Sequence, residues 1–171
     1  IAPALALNEV TKVAISMATA AKDNVALALE QFREYDEERA KDINKTEDFL
    51  DVLTDHADNY LIELSNNIEL EGDKRQHNML MQCIRDIERI GDYATNFVEL
   101  AQRLGSEEAV LSDIAKAELR ILSTAVKEII QITVDAFTND DNQAAKAIEP
   151  LEETIDDMVM ILRDRHTKRL K

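Results

Sequence analysis

The chain has no tryptophan, 4% aromatic residues, three glycines and two prolines in 171 positions. A sequence this poor in aromatic and turn residues and rich in Ala, Leu, Ile, Glu, Asp and Lys is biased toward long helices packed through aliphatic side chains. A sheet is not expected. The single cysteine, Cys83, cannot form an internal disulfide, which fits a reducing compartment. Its place on an apolar stripe makes it a core thiol. Basic residues are scarce: 20 Lys and Arg face 35 Asp and Glu, a net charge of −15. Phosphate-backbone binding would work against that field, so nucleic acid is excluded as a partner, and cations or a basic surface fit better. Long apolar runs are missing too. None approaches the roughly 18 residues of a membrane span, so no direct membrane insertion of this chain is expected. Catalytic signatures are also absent: there is no Gly-rich phosphate loop, no Cys/His pair at useful spacing and no Ser in a strand-to-helix turn. The chain is not expected to be an enzyme.

What is present is a 3.6-residue apolar period over 45% hydrophobic residues. Breaks near Tyr35-Asp36, Asn66-Asn67, Gly105-Ser106 and Asn139-Asp140 predict five helices, at roughly 5–34, 37–65, 73–104, 107–138 and 141–170. In the third, Cys83, Ile87, Ile90, Ala94, Phe97, Ala101 and Leu104 alternate steps of four and three. That is the seam of a left-handed bundle, with Gly105 placed as its stop.

An internal repeat divides the chain. Ala40-Lys41-Asp42-Ile43 with Glu47, Leu50 and Asp51 matches Ala145-Lys146-Ala147-Ile148 with Glu152, Ile155 and Asp156, at a constant offset of 105. Val25, Leu29 and Phe32 fall on Ile130, Val134 and Phe137 at the same offset. Helices one and two therefore correspond to helices four and five. The expected organisation is a tandem of three-helix units, 1–105 complete and 106–171 incomplete, with the sixth helix beyond Lys171. Starting at Ile1 and stopping within a helical pattern, the chain reads as a piece of a longer protein.

Residues 86–96 carry the most unusual pattern. Glu88 and Asp92 are four apart and share a helix face, and Gly91 in the same turn costs about 1 kcal/mol relative to alanine. Acid pairs at this spacing arise by chance about seven times among 35 acids in 171 positions, so one pair is weak evidence. Context lifts three of them. Glu47/Asp51 and Glu152/Asp156 occupy equivalent repeat positions, and Glu88/Asp92 lies on the helix expected to face the first. Converging carboxylates on facing helices are how bundles hold metal ions, and oxygen donors without histidine favour hard ones. His56, His77 and His166 share no ligand spacing and read as surface or helix-end residues. Asp55, Asp58, Asp157 and Asp164 extend the acidic faces as solvated stripes.

Glu88-Arg89-Ile90-Gly91-Asp92-Tyr93-Ala94-x-Asn96, together with the tandem repeat and its E-x-x-[ILV]-D element, resembles the PhoU family. The resemblance implies an all-α fold of tandem antiparallel three-helix bundles, here with five long helices and the sixth missing. It implies a transition-metal ion, with iron, zinc or nickel as candidates, held by Glu47, Asp51, Glu88, Asp92, Glu152 and Asp156. It also implies a role in phosphate uptake or its regulation. The Pro3–Leu7 opening, Tyr60-Leu61-x-x-Leu64-Ser65 and Arg165-His166-x-x-Arg169-Leu170 look most like the cytosolic domain of sodium/phosphate cotransporter family proteins. On that reading the partner is the membrane transporter region of the same polypeptide, and the domain lies on the cytoplasmic side of the inner or plasma membrane. A free-standing phosphate-uptake regulator and a metal-free helical scaffold are the alternatives. The apolar faces of helices four and five, lacking a sixth helix, predict a homo-oligomer.

Overall fold

The computed structural model describes residues 2–106, 112–139 and 148–169, and they form five helices. These are α1 (Pro3–Glu30), α2 (Glu37–Ser65), α3 (Glu71–Ser106), α4 (Asp113–Thr138) and α5 (Ile148–Arg169). The described residues contain no strand. The fold is all-α, as the composition requires. The expected stretches 107–111 and 141–147 of the last two helices lie outside the described residues. Among the described residues no helix is long and apolar enough to cross a membrane.

Local chemistry sets the helix ends. Pro3 opens α1, where its missing N–H costs nothing. Asp36 caps α2, its carboxylate accepting from the Arg39 N–H at 2.6 Å, with Glu37 and Glu38 in the first turn favoured by the helix dipole. Ser112 caps α4 by accepting from the Ala115 N–H at 3.2 Å. α1 stops at Glu30, four residues short of the expected end, because Gln31 turns its side chain to the connection. The Gln31 amide donates to the Asp36 carbonyl at 2.8 Å and accepts from the Asp36 N–H at 3.0 Å and from Arg39 Nη1 at 3.2 Å. Buried in this way, Gln31 satisfies the turn that sends α2 back along α1. Gly105 does not stop α3, which runs through it to Ser106.

The chain divides into two compact units, Ile1–Gln102 and Arg103–Lys171. The first is an up-down-up bundle of α1, α2 and α3. Gln76 near the start of α3 donates to Asn8 and Thr11 near the start of α1, and Phe32 just past α1 meets Phe97 edge-on at 6.0 Å, so α1 and α3 run parallel. α2 runs against both, with His77 Nε2 2.6 Å from the Leu61 carbonyl. Leu7, Met17, Ala21, Ile43, Leu61, Leu80 and Ile84 are fully buried along the axis. Asn24, buried on α1, donates to the Ile43 carbonyl of α2 at 3.0 Å and fixes the register of that pair. In the second unit α4 and α5 form an antiparallel hairpin, with Arg165 reaching Glu118 at 3.5 Å.

The buried stripe of α3 is Leu80, Ile84, Ile87, Gly91, Ala94, Val98 and Ala101. Ile87, Ala94 and Ala101 are as expected from the sequence. The intervening positions are Ile84, Gly91 and Val98 instead of Cys83, Ile90 and Phe97, which are half-buried. Apolar spacing favours Ile90 over a glycine. What reverses the preference is a side chain from α2 that fills the place of the missing one at position 91. Cys83, flanking the stripe, has its thiol pushed up to about 11 by burial and then by the charge of Asp86. It is a poor nucleophile.

Candidate metal centre

Three of the expected carboxylates converge. One oxygen from each of Glu47, Asp51 and Asp92 lies within 4.8 Å of the other two, and this is the one such acidic, His or Cys group among the described residues. Glu47 and Asp51 stand one turn apart on α2, and Asp92 comes from α3. Glu47 is 5% exposed, whereas Asp51 and Asp92 are open to solvent. Glu88, one turn before Asp92, is exposed and is not part of the group. Asp156 is exposed on α5, while the side chain of Glu152 lies outside the described residues.

The electrostatics of the cluster are uncompensated. Among the described residues no Lys or Arg forms an ion pair with any of the three carboxylates. The Oε2 atom of Glu47 is buried without a hydrogen-bond partner. Burial first, then the charges of Asp51 and Asp92, a proton shared with Asp51, and the charge of Asp48 push the Glu47 carboxyl up to about 7. Asp51 is raised as well, by burial and by the charges of Asp92, Asp48 and Asp55, against the lowering effect of the Glu47 hydrogen bond. Buried carboxylates that carry no partner are ordinarily protonated or compensated by a cation.

Gly91 completes the site. Its position on the buried stripe of α3 is occupied by the Glu47 carboxylate, whose Oε2, Oε1 and Cδ are the atoms nearest to where a side chain would begin. The glycine was visible in the sequence, but its partner was not. Helical spacing marks Glu88 and Asp92 as sharing a face, yet cannot say which of two acids a turn apart reaches the acids of α2. Two further polar atoms were not anticipated. Thr54 Oγ1 and Asp58 Oδ1, farther along α2, are buried without partners, so Asp58 is not a solvated member of the stripe as expected, while Asp55, Asp157 and Asp164 are exposed. His77 contacts the Leu61 carbonyl and His56 is exposed; the side chain of His166 lies outside the described residues.

An antiparallel three-helix unit with an E-x-x-x-D pair on its second helix and an E-x-x-G-D turn on its third matches the PhoU domain, over residues 14–101. The match spans more than half of the chain, and the chain belongs to the PhoU family. Among curated proteins it is similar to the phosphate-specific transport system accessory protein PhoU homologue of Aquifex aeolicus, 26% identical over 153 residues, covering 89% of this chain and 68% of that protein. The homologue of the same description from Clostridium acetobutylicum is 25% identical over 155 residues, covering 89% of this chain and 69% of its own length. No solved structure gives a significant match.

Proposed function

We propose that the chain is a metal-binding regulator of phosphate transport rather than a catalyst, with its cation site at Glu47, Asp51 and Asp92. The observation that carries the site is the buried Glu47 carboxylate, unpartnered at Oε2, grouped with Asp51 one turn along α2 and Asp92 of α3. Three carboxylates, with no nitrogen or sulfur donor among the described residues, make an oxygen site, which favours hard, oxygen-preferring ions over the softer-ligand preferences of zinc and nickel. A bound cation would supply the positive charge that joins α2 to α3. Glu88 is a flanking acid in this reading, and Glu152 with Asp156 is a subsidiary pair, because two carboxylates on one helix offer few ligands.

Protein purified without chelator is the material for the test. The parent is expected to retain iron or another transition metal. The Asp51→Asn/Asp92→Asn variant should lose that metal, with unchanged helix content by circular dichroism, and Glu88→Gln should keep it. Equal metal content in the double variant and the parent would refute the assignment.

The phosphate-transport role rests on the family and on the relatives, both described as accessory proteins of phosphate-specific transport systems. A separate accessory regulator fits this chain at least as well as the cytosolic tail of a sodium/phosphate cotransporter. The open reading frame separates the two: apolar spans of about 20 residues joined to this chain mark the tail.

Self-association through the second unit is part of the same proposal. Ile114 and Ile121 on α4 and Met160 and Ile161 on α5 are each more than half exposed, from 54% to 67%. A second copy covering these faces gains about 25 cal/mol per Å² of apolar surface. Light scattering at micromolar concentration should give a dimer or larger, and a monomer would contradict it.

A further inference from the structure

We infer that Gly91 is the positioning residue of the carboxylate cluster: the missing side chain at this position seats the Glu47 carboxylate, and thereby decides whether the cluster takes up a cation. The inference rests on the site proposed above and adds a residue that holds no ligand atom. A Cβ placed on Gly91 would stand 2.5 Å from Glu47 Oε2, 2.8 Å from Oε1 and 3.0 Å from Cδ. Carbon and oxygen do not approach so closely without one of them moving. Every other member of the buried stripe of α3 carries a side chain; at 91 the carboxylate from α2 takes that volume.

Other reasons for a glycine fail here. Position 91 lies in the middle of α3 with ordinary helical backbone, where glycine costs about 1 kcal/mol against alanine, so neither a turn nor a cap requires it. Close helix packing would place backbone or apolar atoms opposite the missing side chain, but the three nearest atoms all belong to the Glu47 carboxylate group. Gly72 and Gly105 have nothing within 4 Å of a Cβ and are free of any such contact. The seat is therefore specific to Gly91. It also explains how Glu47 is buried while Oε2 stays unpartnered: the notch in α3 admits the carboxylate and supplies no donor.

Because the obstructed atoms sit at the far end of a flexible side chain, Gly91→Ala should displace Glu47 and leave the bundle folded. The site would be lost and the fold kept. Titration of the intact, chelator-stripped chain with Mn(II), an oxygen-preferring ion, reads this directly. Gly91→Ala is expected to weaken Mn(II) binding about 10- to 100-fold, the range for residues that hold ligands in place, with no loss of helix content. A second measurement needs no metal. Gly91→Ala should raise the melting temperature more in a Glu47→Ala background, where the methyl group fills a vacated space, than in the parent, where it meets the carboxylate. Parent-like Mn(II) affinity in Gly91→Ala, or equal melting shifts in the two backgrounds, overturns the inference while leaving the site intact. A parent chain that binds no Mn(II) instead overturns the proposed site, and with it the effect of Gly91 on cation uptake.

Discussion

Glu47→Gln is expected to stabilise the metal-free protein and to abolish its cation uptake. The parent carboxylate is 5% exposed, unpartnered at Oε2 and set beside two like charges. Holding it ionised at pH 8 against a carboxyl raised from 4.5 to about 7 costs up to about 3 kcal/mol. Glutamine keeps the shape and removes the charge, though it still buries a polar group, so a gain of about 1–3 kcal/mol is expected. In a unit of about 100 residues each kcal/mol corresponds to roughly 4–8 °C in melting temperature. A fall in melting temperature for Glu47→Gln without metal would mean that the carboxylate is satisfied in a way the geometry does not show. Opposite signs for stability and binding mark a residue kept for a ligand and not for the fold.

Stability of the metal-free chain should fall as pH rises, and cation affinity should rise over the same interval. The folded protein holds the Glu47 proton up to about 7, whereas the unfolded chain releases it near 4.5. Between those values the native state binds more protons than the unfolded state, so the stability from this group is complete below about 4.5 and is lost as pH climbs through 7. Asp51, also raised, acts in the same direction. The net charge of −15 adds a general repulsion of the same sign, so the informative quantity is the difference between parent and Glu47→Gln. The parent should lose up to about 3 kcal/mol more than the variant from pH 5 to pH 8, followed by urea unfolding. A cation competes with that proton, so its binding tightens toward pH 8. Parallel pH profiles for the two proteins would remove Glu47 as the titrating group.

Composition and periodicity made the all-α fold legible, because scarce aromatics and turn residues left helices as the one way to bury the apolar content. Asn66-Asn67 and Tyr35-Asp36 located their breaks closely. The end of α1 was not legible, since Gln31 gives up helical continuation for hydrogen bonds to Asp36 and Arg39 that depend on the returning helix. The stripe of α3 was read one position away at alternate steps for a related reason. An apolar count gives a glycine no weight, and the group filling its place belongs to a charged residue on another helix. Glu47, Asp51 and Asp92 were marked by spacing, repeat position and the glycine. Their convergence without Glu88, and the depth of Glu47 compared with the other two, are tertiary facts that helical spacing does not contain.

The most direct measurement is thermal unfolding of the intact, chelator-stripped chain at pH 8 with and without Mn(II). A ligand that binds only the folded state raises stability in proportion to the logarithm of its concentration, by about 2.7 kcal/mol at 100 times its dissociation constant. The melting temperature of the parent should climb with Mn(II), and that of Asp51→Asn/Asp92→Asn should stay where it is. A parent whose melting temperature is the same at zero and about 1 mM Mn(II), far above any dissociation constant useful for regulation, would contradict a cation site between α2 and α3.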